Sequence, residues 1–195
     1  MIPDLNPSSP LFPWAVVIGA SLAAAMTDLS SRRIPNLLTL PLVALGLVWS
    51  VATAGTWWLG AIDSVAACLV LALPYVILYA SGAGGGAGDA KLMGAIGAWL
   101  GIQSGFVVLV AVSLCGIALA VFYAAAQRQL RPVLANIAGV LIATTVAIRT
   151  GRGLGSVFRD MPPASEMTTI PYGVSIFLGV CLGAGVMALF GGLIG

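Results

Sequence analysis

Apolar residues run along this chain in long blocks. The blocks are Leu11–Thr27, Leu37–Ala54, Trp57–Ala80, Ala90–Gly101, Gly105–Ala126 and Tyr172–Ile194. A helix of about 20 apolar residues crosses ~30 Å of hydrocarbon, so each block predicts a membrane-spanning helix. The fourth is short, and its first turn is expected at or below the membrane surface. Two stretches fit less simply: the glycine run Gly82–Gly88, and Val133–Ile148, which is apolar, 16 residues long and softened by Asn136, Thr144 and Thr145. No internal repeat is visible.

Charge decides how Val133–Ile148 is read. Every Lys and Arg falls in four places: Arg32 and Arg33; Lys91; Arg128 and Arg131; and Arg149, Arg152 and Arg159. Positive charge gathers on the cytoplasmic side of a membrane. If Val133–Ile148 does not cross, all four clusters are cytoplasmic; if it crosses, the last is exported. Six spans also put Trp14, Trp49, Trp57, Trp58 and Trp99 near the outer surface and Tyr75, Tyr79, Tyr123 and Tyr172 near the inner one, as interfacial aromatic belts. The expected fold is therefore all-α and polytopic. It has six transmembrane helices and a cytoplasmic-face in-plane or re-entrant helix at about 133–148, with seven spans as the alternative. Both termini are expected outside. The first span is expected to be retained, because Asp4 stands where a secretion signal carries Lys or Arg.

Composition narrows the chemistry. The chain has 195 residues, one domain by length. It is 60% hydrophobic and 7% charged, with mean hydropathy +1.09, which excludes a soluble globular protein. It has no histidine, so no Ser-His triad and no histidine metal site can form. Cys68, Cys115 and Cys181 are far apart and make no CxxC pair, so no metal site or cofactor is expected. A net charge of +2 without a basic stripe argues against a nucleic-acid partner.

Acidic groups in or beside a span cost roughly 2.5–3.5 kcal/mol at a helix centre, so each needs a reason. Asp4, Asp160 and Glu166 fall in polar segments. Asp63 lies about two turns inside the outer end of its span, where satisfying a helix neighbour is favoured over function. Asp28, closing the first span, and Asp89, opening the fourth, share the cytoplasmic boundary on different helices. Two carboxylates close together do not both ionise cheaply, so one keeps its proton and the pair divides into general acid and general base. That is aspartic-protease chemistry and needs no histidine or metal. The plainer readings are an Asp28–Arg32 pair one turn apart and Asp89 as a helix cap. The glycine run lacks the Gly-Lys-Ser/Thr of a phosphate loop. It is either a flexible linker or a place where a substrate backbone comes close to Asp89.

Gly86-Ala87-Gly88-Asp89 with Lys91-Leu92 resembles the GxGD signature of membrane-embedded aspartic proteases. Asp28 followed by Arg32-Arg33-Ile34-Pro35-Asn36 is similar to the first motif of type IV prepilin peptidases, and Ile170-Pro171-Tyr172-Gly173 resembles the start of that family's last span. The resemblance implies an aspartic endopeptidase of the inner membrane with Asp28 and Asp89 as its catalytic pair. It would cleave, on the cytoplasmic side, a prepilin-like protein with a short basic leader and an apolar helix. Gly86 and Gly88 are motif positions. Lys91 either acts on the charge of Asp89 or anchors the helix at the positive side. Pro35, Asn36, Pro171 and Gly173 are read as architecture, and Tyr172 as an interfacial anchor or a cleft residue.

Larger members of that family carry a cysteine cluster and a methyltransferase activity. Neither is expected here, where residues 1–195 read as one peptidase domain like the short forms serving Flp/Tad-type pili. Archaeal preflagellin peptidases are a second matching branch. The alternatives are another GxGD protease, disfavoured because Thr27 rather than Tyr precedes Asp28, and a small ion-coupled carrier, whose acids belong near the midplane.

Overall fold

The computed structural model describes residues 11–80, 86–126 and 172–194. Within them the regular elements are α-helices: α1 (Leu11–Ser31), α2 (Asn36–Thr53), α3 (Trp57–Ala80), α4 (Ala87–Ala126) and α5 (Tyr172–Ile194). All five are long and apolar enough to cross a membrane, and the chain is a multi-pass membrane protein. The expected helix at 133–148 lies outside the described residues, as do Asp4, Asp160, Glu166 and Pro171.

The fourth and fifth expected blocks are joined in α4. As a straight rod its 40 residues would reach about 60 Å, twice the ~30 Å hydrocarbon core. It is broken at Gly101, with φ 71° and ψ −179°, a conformation that only glycine takes at little cost. The chain folds back there: a Cβ placed on Gly105 would lie 3.8 Å from Gly97 Cα, where a straight helix would separate the two positions by about 12 Å. The first arm, residues 87–100, and the second, residues 102–126, match the short fourth block and the fifth.

The break exposes backbone donors at the start of the second arm, which have no partner inside their own helix. Asp63 of α3 supplies one acceptor. Its Oδ1 takes the Ile102 N–H at 3.2 Å, and its carboxylate lies against Gly101. Asp63 thus satisfies a neighbouring helix, as the sequence favoured.

The first arm of α4 is the centre of the bundle. Residues 92–99 are buried on all sides, as expected of a helix enclosed by others. Gly97 makes this possible: a Cβ there would meet the Ala67 carbonyl oxygen at 2.5 Å, so α3 and α4 pack backbone to backbone. Ser64 Oγ ties the same pair by donating to the Ala98 carbonyl at 2.8 Å. Leu71, Met93, Ile96, Val108, Ile176 and Val180 fill the core around it, while Leu45, Ile62, Leu69, Phe106, Leu114 and Ile117 face outward. Trp99, expected near the outer surface, stands two residues before the break at Gly101. It is buried, donates its indole N–H to the Leu42 carbonyl at 2.8 Å, and lies 6.0 Å from Trp49, which lies 4.7 Å from Phe12. Its one polar atom has a partner inside the protein, so it serves the core.

Replacing Gly101 by Ala is expected to lower the thermal midpoint of the solubilised protein, through a strained φ worth about 1–3 kcal/mol and a collision with Asp63. Asp63→Ala is expected to cost about 1 kcal/mol by removing a helix-capping acceptor, and Asp63→Asn less. An Asp63→Ala chain melting like wild type would exclude the cap.

Candidate active site

The site is built at the end of the bundle where α1 and α3 finish and α2, α4 and α5 begin. Asp28 sits in the last turn of α1, which continues to Ser31. Arg32 ends the helix in a left-handed conformation, φ 51°, donating its N–H to the Asp28 carbonyl at 2.8 Å, an ordinary way of closing a helix. Pro35 then caps α2 in an extended conformation, its carbonyl accepting from Leu38 at 3.0 Å and Thr39 at 3.4 Å. Asn36 is the first residue of α2.

The Asp28 side chain reaches across to the last helix. Its Oδ2 accepts the Gly173 N–H at 2.9 Å, one of the donors at the start of α5 that have no intrahelical partner. The approach requires glycine, because a Cβ at 173 would lie 2.9 Å from Asp28 Cβ. Asp89 is placed by its own helix. It is the third residue of α4, and its Oδ2 accepts the Gly86 N–H at 2.8 Å. Gly86 in turn accepts from Asp89 N at 3.0 Å and Ala90 N at 3.4 Å. This is half of a capping box, so the cap foreseen for Asp89 is present. Asp89 is 6% exposed.

Two contacts fasten the start of α4 to the α1–α2 connection. Lys91 Nζ donates to Asn36 Oδ1 at 2.8 Å. Gly88 abuts Ile34, where a Cβ would come within 2.9 Å of the isoleucine Cβ. The two carboxylates, supplied by different helices, line one open cleft of about 340 Å³ together with Arg32, Arg33, Asn36 and Lys91. They are near enough to interact electrostatically. The cleft therefore joins two acids, three cations and a floor of glycine backbone at Gly86 and Gly88. Such a surface can bind an extended peptide through its backbone while presenting carboxylates to it.

The other sequence-selected residues divide. Gly86, Gly88, Asn36 and Lys91 line the cleft; Gly173 holds Asp28; Pro35 shapes the start of α2. Tyr172 is partly exposed and lies within electrostatic reach of Asp89. The sequence missed Tyr75 and Tyr79 as neighbours of the site. Tyr75 is buried and within electrostatic reach of Asp89 and Tyr172, and Tyr79 lines the cleft. The available signal was a pair of tyrosines four residues apart at the end of an otherwise apolar helix. Among the described residues no group of three or more His, Cys, Asp and Glu is placed to hold a metal ion.

A model of the type IV leader peptidase family matches residues 15–121, more than half of the sequence. The chain belongs to this family. The match includes both acids and the Gly86–Lys91 segment, and ends before α5. The prepilin leader peptidase/N-methyltransferase of Neisseria gonorrhoeae is 31% identical over 125 residues, covering 60% of this chain and 43% of that protein. The chain thus spans less than half the length of this curated relative of the leader peptidase family. No solved structure matches it significantly.

Gly173→Ala is expected to lower the thermal midpoint by pressing on Asp28. Gly185→Ala, where a Cβ meets nothing within 4 Å, is expected to leave it in place or raise it slightly. Equal midpoints for the two variants would exclude the close α1–α5 contact.

Proposed function

We propose that this chain is an aspartic endopeptidase that removes the leader from type IV prepilins of the Flp class at the cytoplasmic face of the inner membrane. The observation that carries the reading is the single cleft lined by Asp28 and Asp89 from separate helices. Membership of the leader peptidase family supplies the substrate class. Of the relative's two printed activities only the peptidase is carried over, because it is the one that a carboxylate pair supports.

On this reading the pair shares one proton, since two neighbouring carboxylates do not both ionise cheaply. The ionised member takes a proton from water as the water oxygen attacks the scissile carbonyl carbon. The protonated member gives its proton to the carbonyl oxygen. The tetrahedral intermediate then collapses, breaking the C–N bond, with a proton passed to the leaving amine. The N–H donors of Gly86 and Gly173 hold the two side chains in place. The Lys91–Asn36 bond keeps the α4 turn against the α1–α2 connection, so Lys91 and Asn36 are positioning residues.

The membrane arrangement proposed with it has six crossings, the two arms of α4 being the fourth and fifth, and both termini outside. The cleft then faces the cytoplasm with Arg32, Arg33 and Lys91 beside it, in keeping with the positive-inside rule. A carrier would hold its acids near the midplane, whereas Asp28 and Asp89 occupy helix ends.

Cleavage of a co-expressed Flp-type prepilin, followed by gel shift, tests the function. Wild type is expected to process it. Asp28→Asn and Asp89→Asn, at normal membrane levels, are each expected to slow processing at least about 100-fold, the lower range for a positioned acid or base. Either variant cleaving at the wild-type rate would sink the pair mechanism.

A further inference from the structure

Beside the carboxylate cleft lies a second groove, of about 320 Å³, between α2, α3 and α4. One wall is a single face of α3: Cys68, Ala72, Val76 and Tyr79, spaced four, four and three residues apart as helical neighbours are. From Cys68 to Tyr79 it runs about 16 Å, roughly half the ~30 Å hydrocarbon depth. α4 meets this face at Gly94, where a Cβ would lie 3.1 Å from Cys68 Sγ, and α4 also contributes Lys91 to the lining. Lys91 is the one charged residue among the lining. The two cavities share Tyr79, Ala87 and Lys91, so the groove adjoins the carboxylate cleft at its polar end.

We infer that this groove seats the first three helical turns of the substrate's membrane helix, with the scissile segment continuing past Lys91 into the carboxylate cleft. The inference rests on the proposed peptidase reading and adds the face from which substrate is taken. Three observations select a polypeptide helix as occupant. The wall is apolar along its length and polar only where it meets the cleft, matching a chain that is apolar below and polar above. Ala72 is small and half-buried on this face, which lets another helix come close, the way helices associate inside a membrane. Tyr79, Ala87 and Lys91 line both spaces, so one polypeptide can run from the groove to the carboxylates. On the opposite flank Gly173 brings α5 close against Asp28.

Cys68 is a built-in reporter. The full chain in membranes, carrying Cys115→Ala and Cys181→Ala to leave Cys68 alone and Asp89→Asn to retain substrate, is mixed with a prepilin bearing single cysteines along its apolar helix, then oxidised. Disulfides are expected at positions three or four residues apart within about the first eleven residues of that helix, and none from chains that keep only Cys181. In parallel, Ala72→Leu on the otherwise wild-type chain is expected to raise KM for the prepilin at least tenfold with kcat within twofold. Contacts made equally in ground and transition states act in this way. Disulfides to Cys181 but not Cys68, or an unchanged KM in a chain that cleaves normally, would overturn the groove and leave lipid as its occupant. Should Ala72→Leu lose all activity, the Cys68 pattern alone decides, and its absence overturns the groove. A wild-type chain that cleaves no prepilin would instead overturn the function reading, and this one with it.

Discussion

A helix that begins in or beside a membrane leaves backbone N–H groups with no partner of its own and little water to take them. This constraint organises the described part of the protein. Asp28, Asp63 and Asp89 each accept such a donor, from Gly173, Ile102 and Gly86 respectively. A carboxylate suits the position because the start of a helix carries partial positive charge. The same bonds that complete α5, the second arm of α4 and α4 itself also fix where the acids point. Two of the three lie at one end of the bundle and share a cleft; the third lies at the fold-back and serves the architecture.

The packing has the same economy of side chains. The first arm of α4 is enclosed because Gly97 admits α3, and its N-terminal turn stays near the end of α1 because Gly88 admits Ile34. The Lys91–Asn36 bond adds a polar fastening where the surroundings become wet enough for an ammonium group. A central helix held on all sides gives Asp89 a rigid base, which a reactive carboxylate needs more than any single strong contact.

Much of this was legible from one sequence. Hydropathy alone located the helices, because in a bilayer the length of an apolar block is set by a physical thickness. The two acids stood out since each lies at a span boundary beside a glycine or basic cluster. The fold-back at Gly101 lay at the limit between two apolar blocks, but the left-handed backbone there could not be read from one glycine among 25. Long-range pairings were beyond reach. Nothing local to Asp28 names Gly173 as its partner, and nothing local to Asn36 names Lys91. That Trp99 also serves the core was not legible, because tryptophan suits both an interface and a core, and its partner, the Leu42 carbonyl, lies 57 residues away.

The Asp28–Gly173 bond joins positions 145 residues apart, and this has a consequence in time. A ribosome emits α1 first and α5 only after α2, α3 and α4. Until α5 arrives, Asp28 lacks the amide that holds it. The nascent chain therefore sits in the bilayer with one acid anchored by its own helix and the other waiting for α5. A product truncated before residue 173 has α1 and α4 but not the joint between α1 and α5.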